Sequence, residues 1–224
     1  PKGVGGAKNR AIAQSNGNYL CFFDSDDIMH ADRISKQYEL CKKNPDCIVG
    51  CKVKRIPENS TQRYMEWVNN LTADQLTKQV YTCFGPTILM PTWFCTRKCF
   101  DKIGAFDDSD SKGVPEDLIF FYKHIYHGGG ILRADDVLLT YRYHQEATTF
   151  SVTDEAIWNI RLAELEKNVL NKWDRFMIWN AGKEGRRFYR CLSEENRNKV
   201  EAFCDVDPKK LAKKFYIYEN CIKG

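Results

Sequence analysis

The sequence predicts an α/β fold in which a mixed, at least partly parallel sheet is flanked by helices and followed by a smaller strand–helix–strand tail. Three observations predict it. Short apolar runs alternate with segments of helical periodicity between residues 7 and 53. The first of those runs ends abruptly in clustered acids, Asp24-Ser25-Asp26-Asp27. After residue 175, strand, glycine-bearing turn, helix and strand recur in an order of their own.

Each element has a local reason. Ala7 to Ser15 has a helical pattern that Asn16-Gly17-Asn18 stops. Tyr19 to Phe23 is a continuous apolar run, the pattern of a fully buried strand. Ala31 to Lys43 sets Ile34, Tyr38 and Cys41 on one helical face, and Cys47 to Val53 returns as a strand. Glu58 to Lys78 reads as two helices parted near Asn69-Asn70, with Thr72 as N-cap of the second. Gly85-Pro86 marks a turn, and Thr87 to Met90 is a further strand. Glu116 to His127 carries Leu118, Phe121, Tyr122 and Ile125 at helical spacing and is closed by Gly128-Gly129-Gly130. Val137 to Tyr143 is a strand, and Glu155 to Trp173 is a long amphipathic helix.

The tail holds strand Phe176 to Trp179, helix Arg186 to Leu192, and strand Val200 to Cys204, which ends at Asp205. This is the order of half a dinucleotide-binding fold. Asn180 stands where the first fingerprint glycine would be, before Gly182 and Gly185, so a plain strand–helix packing turn is the favoured reading. The domains expected are 1–152, a connecting helix at 153–174, and the partial Rossmann-like tail at 175–224.

Composition narrows the function classes. With 224 residues, 43% hydrophobic and 29% charged, the chain is neither disordered nor fibrous, and it has room for one domain and part of a second. Its 34 basic residues are interspersed with 30 acidic ones, too mild a balance to call for a nucleic-acid partner. No apolar run approaches the ~20 residues that span a bilayer. The ten cysteines form no Cys-x-x-Cys pair and read as free, mostly buried thiols, which points to a reducing, cytoplasmic setting. Two sequons, Asn59-Ser60-Thr61 and Asn70-Leu71-Thr72, leave the secretory route open. No Gly-x-Ser-x-Gly or Cys/His arrangement argues for acyl chemistry.

The acidic turn is where chemistry is expected. Asp24, Asp26 and Asp27 repel one another, and unpaired charge beside a buried strand is costly. A Mg²⁺ or Mn²⁺ ion resolves this, because it prefers oxygen ligands and leaves positions for phosphate. The plainer alternative is an acidic turn in which Asp27 caps the following helix. Glu116 and Asp117 likewise either serve chemistry or simply complement the helix dipole.

Four ordered blocks resemble the family 2 inverting glycosyltransferases of GT-A fold. They are Gly3 to Arg33, with Ala7-Lys8-Asn9-Arg10 and Phe23-Asp24-Ser25-Asp26-Asp27; Phe94 to Asp107; Gly113-Val114-Pro115-Glu116-Asp117-Leu118; and Tyr141-Arg142-Tyr143-His144. The resemblance implies a metal-assisted single displacement from a UDP-sugar, with UDP-GlcNAc as the donor guess, onto the hydroxyl of a glycan or another acceptor. It implies Asp117 as general base with Glu116 as neighbour, Asp26 as the best metal contact, Asp24 facing the ribose or supporting the metal site, and His144 ligating the metal or bonding phosphate. Asp27 is a third acid near the donor, and Lys8 a nucleotide contact where the family usually has arginine. Trp93 is either an acceptor-stacking ring or a core residue. The resemblance also implies that the family's first strand–helix–strand unit is missing before Pro1. Two rival readings stay in view: a catalytically impaired nucleotide-sugar or partner-binding module, and a dinucleotide-binding protein acting through the tail.

Overall fold

The computed structural model describes residues 3–82, 85–109, 113–144 and 147–216, so Pro1, Cys83, Cys221 and Gly224 lie outside the described residues. The chain divides into two compact units, 1–160 and 161–224.

The first unit is built on a five-stranded mixed sheet. Its strands are β1 (Tyr19–Cys21), β2 (Ile28–Met29), β3 (Cys47–Ile56), β4 (Phe94–Thr96) and β5 (Gly130–Arg142), in the order β1-β4-β3-β5-β2. Only β3 and β5 pair in parallel, in register from Cys47↔Gly130 to Ile56↔Arg142 with irregularities on either side of Lys52. The pairs β1–β4, β3–β4 and β2–β5 are antiparallel. Following these directions, β1, β3 and β5 all end at the same rim of the sheet, and β2 starts there. The acidic turn therefore passes along that rim, from one edge strand to the other. This is the placement in which open α/β sheets bind ligands.

Helices α1 (Gly3–Ala13), α2 (Arg33–Lys43), α3 (Gln62–Asn70), α4 (Ala73–Lys78), α5 (Arg97–Ile103) and α6 (Glu116–Tyr126) flank the sheet, and α7 (Asp154–Asn168) follows β5. Thr72 caps α4 as its sequence predicts, in a reciprocal capping box with Gln75. The α6 helix ends as expected: Gly128 takes φ +77°, and Gly128 N–H donates to the Ile125 carbonyl. The main core is aromatic, with Phe22, Trp93, Phe100, Phe106, Phe120 and Phe121 in one cluster.

Several elements differ from the sequence reading. Residues 87–90 are not a strand; the chain there is irregular and leads into a 3₁₀ turn, Met90–Thr92. Side chains tie it in place: Trp93 Nε1 donates to Ile88 O, and Thr87 Oγ1 donates to Leu76 O of α4. The β1 run is not fully buried, since Cys21 and Phe23 are exposed. On α2 the expected inward Ile34 is 53% exposed, while Arg33, Gln37 and Cys41 are buried. The reason is that irregular strand ends need donors. Arg33 Nη2 donates to Phe22 O at 2.7 Å, and Gln37 Nε2 donates to both Val49 O and Thr92 O. Arg33 Nε closes the network on Gln37 Oε1.

In the second unit β6 (Phe176–Trp179) and β7 (Val200–Cys204) form a two-stranded parallel sheet, with α8 (Lys183–Cys191) and α9 (Glu194–Asn198) between them in sequence and α10 (Pro208–Leu211) after. Leu162, Leu170 and Leu192 are its buried core. The α8 helix starts three residues earlier than the sequence suggests because Gly182 takes the N-cap position. Gly185 sits so close to the preceding turn that a Cβ would lie 1.7 Å from Asn180 O.

Candidate active site

The site is assembled from the acidic rim turn, the end of β5 and the N-termini of α1 and α6. Asp27 is 8% exposed, and its Oδ1 accepts from the Arg142 backbone N–H at 2.9 Å, so it ties the turn to β5 instead of capping α2. Its other oxygen is buried without a hydrogen-bond partner. Burial, together with Asp24 and Asp26, lifts the Asp27 carboxyl to about 6 against the pull of the Arg142 N–H and Arg33. Arg142 Nε fixes the turn a second time through Asp26 O at 2.8 Å. These bonds leave the Asp26 carboxylate half exposed, and its Oδ2 lies 2.9 Å from His144 Nε2.

Asp26 and His144 are thus brought together, while Asp24 lies within electrostatic reach of both Asp26 and the Lys8–Glu116 pair. Burial raises Asp24, Lys8 opposes that, and Asp26 and Glu116 add to it. Among the described residues no group of three or more His, Cys, Asp or Glu side chains converges to hold a metal. One carboxylate and one imidazole at hydrogen-bond distance nevertheless fit a Mg²⁺ or Mn²⁺ ion that takes its remaining ligands from phosphate oxygens and water.

On the α6 side Asp117 is half buried, and its Oδ1 accepts the Leu118 N–H at 2.7 Å. Burial and the neighbouring Glu116 lift it to about 6, against Lys8 and the backbone N–H groups. Lys8 does not reach outward. Its Nζ is 2.7 Å from Glu116 Oε1, with both side chains mostly buried.

The expectation that Trp93 stacks on a sugar is corrected. Its ring is 0% exposed, stacks on Phe121 at 6.0 Å, and meets Phe22 and Phe120 on its other sides. The buried Arg33 and Gln37 that hold the strand ends beside the acidic turn were not singled out from sequence. A polar residue inside a helical pattern reads as solvated unless its tertiary partners are known.

In the tail, Asp205 accepts from Ala181 N and Lys210 Nζ, the latter at 2.8 Å, and these bonds with that of Asp207 N hold it down to about 2. It acts as the bracket of the β6–α8 turn.

This mixed sheet with helices on its flanks and an acidic turn along its strand-end rim is of the GT-A type by its likeness to solved structures. Residues 1–104 match the family described as Glycosyl transferase family 2. Among curated proteins, an uncharacterized glycosyltransferase of Rickettsia bellii is 28% identical over 103 residues, covering 45% of this chain and 14% of its own length. A second, from Rickettsia conorii, is 24% identical over 185 residues, covering 77% of this chain and 29% of its own. The chain therefore spans less than a third of the length of these relatives. Among solved structures, TarS 1-349 of S. aureus in complex with UDP-GlcNAc superposes with TM-score 0.55 at 17% identity, over 87% of this chain and 52% of that one. The same protein in complex with UDP gives TM-score 0.52 at 17% identity, over 87% and 50%. No helix among the described residues is long and apolar enough to cross a membrane.

Proposed function

We propose that this protein transfers a sugar from a UDP-sugar to an acceptor hydroxyl by an inverting single displacement, with Asp117 as general base. One observation carries the reading: the acidic rim turn and the α6 carboxylates share a single line of charges. Its links are the His144–Asp26 contact, the action of Asp26, Lys8 and Glu116 on Asp24, the Lys8–Glu116 ion pair, and the action of that pair on Asp117.

The division of labour follows from the environments. Asp117 is a carboxyl lifted to about 6, so near neutral pH it is ionised yet basic enough to take a hydroxyl proton. As the acceptor oxygen bonds to the anomeric carbon, its proton moves to Asp117, the bond from that carbon to the diphosphate oxygen breaks, and UDP leaves with the electron pair. Attack from the face opposite the leaving group inverts the centre. Asp26 and His144 would hold a Mn²⁺ or Mg²⁺ ion, which when bound supplies Lewis-acid neutralisation of the leaving diphosphate. Asp27 and Arg142 keep the Asp26 carboxylate aimed by tying the Asp26 carbonyl and the adjoining Asp27 side chain to the end of β5.

The donor is proposed as UDP-GlcNAc. The TarS structure that shares this fold holds that nucleotide sugar. In sequence, Pro91 to Cys95 and the tail from Ile178 to Asp207 resemble a UDP-GlcNAc:beta-galactose beta-1,3-N-acetylglucosaminyltransferase-like protein. The buried thiols of Cys41, Cys51, Cys95 and Cys99 support a cytoplasmic setting.

The test is thermal stabilisation by UDP-GlcNAc, other UDP-sugars and UDP, with and without Mn²⁺, followed by transfer assays. Ligand and metal together are expected to raise the melting temperature more than either alone, and Asp26→Asn removes the difference. Asp117→Asn is expected to keep that stabilisation and lose transfer. Binding with no transfer in the wild type would instead identify a nucleotide-sugar-binding module.

A further inference from the structure

The family resemblance implies a donor contact for Lys8, but the geometry points elsewhere: we infer that Lys8 is a positioning residue for Asp117, acting through a fixed ion pair with Glu116. This rests on the proposed role of Asp117 as base and adds the device that orients it and sets its charge environment.

Three residues on one face of α1 carry the inference. Gly5, Lys8 and Asn9 stand at i, i+3 and i+4, so they point the same way. Gly5 lies so close to the segment preceding α6 that a Cβ would meet Asp107 O at 2.2 Å and Glu116 Cβ at 3.4 Å. Asn9 clamps the Phe106 backbone from both sides, donating from Nδ2 to Phe106 O at 3.0 Å and accepting the Phe106 N–H at 2.9 Å. Between these two contacts Lys8 lies 5.5 Å from the Phe106 ring centroid and reaches Glu116 Oε1 at 2.7 Å. Its side chain is 15% exposed and that of Glu116 14%, so the pair is screened from water on most sides. An ammonium held this way is not free to track a diphosphate.

What it does instead follows from where it sits. Asp117 is next to Glu116 in the first turn of α6, and two adjacent carboxylates in a half-buried setting oppose each other's ionisation. The charges bearing on Asp117 among the described residues are Glu116 on α6 and Lys8 on α1, while Asp24, just beyond β1, is itself raised by Glu116 and lowered by Lys8. Lys8 is thus the cation between the donor-side acid and the base-side pair. By occupying Glu116, it leaves Asp117 as the carboxylate open to the acceptor. By countering the Glu116 charge, it keeps Asp117 ionised near neutral pH. The Asn9 clamp and the Gly5 contact make this a fixed geometry instead of a surface pair.

The experiment is a carboxyl titration of the full chain by ¹³C NMR, with the Asp117 resonance assigned by its loss in Asp117→Asn, in wild type, Lys8→Met, Lys8→Arg and Glu116→Gln. Lys8→Met is expected to move the Asp117 midpoint upward by about one unit, and Glu116→Gln to move it downward. Lys8→Arg, which keeps the charge, holds it. In transfer assays the acid limb of the pH profile of kcat/KM moves with the midpoint in each variant, while KM for the UDP-sugar stays within about twofold, because Lys8 does not touch the donor. A midpoint unmoved in both Lys8→Met and Glu116→Gln overturns the inference. So does a large rise in donor KM in Lys8→Met with an unshifted acid limb, which would return Lys8 to the donor. Absence of transfer in the wild type refutes the base role assumed here, and the titration still decides whether the ion pair governs Asp117.

Discussion

Asp117 illustrates how one residue can pull activity and stability in opposite directions. Its carboxyl sits at about 6 in the fold and near 3.9 in an unfolded chain. The native state therefore binds more protons than the unfolded state between those values, so this group's contribution to stability is present at low pH and lost as pH rises through about 6. In its proposed role as base it works only when ionised. The acid limb of kcat/KM is expected to have its midpoint near 6, falling about tenfold per unit below it. The melting temperature is expected to decline over the same range, and Asp117→Asn to flatten that decline and lower transfer by about 10²–10⁴-fold. A pH-rate profile beside a pH series of thermal melts checks both. Trp93 is the opposite kind of residue: enclosed by aromatic rings and bonded to Ile88 O, it belongs to the core. Trp93→Ala is expected to cost about 3–5 kcal/mol in urea denaturation. Any loss of donor binding should follow the loss of folded protein and not precede it.

At the scale of elements, α1 sets intrinsic propensity against packing. Alanine is favoured over glycine inside a helix by about 1 kcal/mol, so Gly5→Ala would stabilise an isolated α1. In the fold the new Cβ would lie 2.2 Å from a backbone oxygen, Asp107 O, which cannot rotate away as a side chain can. Packing wins, and Gly5→Ala is expected to lower both the melting temperature and transfer by displacing Lys8 from Glu116. A variant with raised stability and unchanged activity would show that α1 tolerates the shift. The α2 helix shows the same contest in a different form. Its polar Arg33 and Gln37 are inside because Phe22, Val49 and Thr92 present carbonyls that the irregular strand ends leave unpaired. Sequence periodicity located the helix and the buried Cys41 correctly but put Ile34 inside and missed Arg33 and Gln37.

For the whole molecule, the division into 1–160 and 161–224 separates the charged line of the proposed site from the tail. Every residue of that line belongs to the first unit, while Asp205 is spent on Ala181 and Lys210 in the second. Gly185→Ala places a Cβ 1.7 Å from Asn180 O, so it is expected to disrupt the β6–α8 turn. Metal-dependent stabilisation by a UDP-sugar should survive this change, and NAD should give no stabilisation of wild type or variant. Loss of UDP-sugar binding in Gly185→Ala, measured by titration calorimetry, would make the tail part of the site.

The sequence by itself determined what short-range chemistry decides. The Thr72 cap, the glycine stop after α6 and the acidic cluster after β1 were all legible, because each is written within a few adjacent residues. Tertiary structure alone decided which of these meet. Lys8 and Glu116 are 108 positions apart, and Asp26 and His144 are 118 apart, so no local pattern records either contact. It also decided that 87–90 is irregular, that Ile28–Met29 adds an edge strand, and that Trp93 is sealed in the core. The physical reason is common to all of these. A segment's backbone and side-chain partners are supplied by distant chain, and the choice among locally acceptable conformations falls to whichever leaves the fewest buried polar groups unpaired.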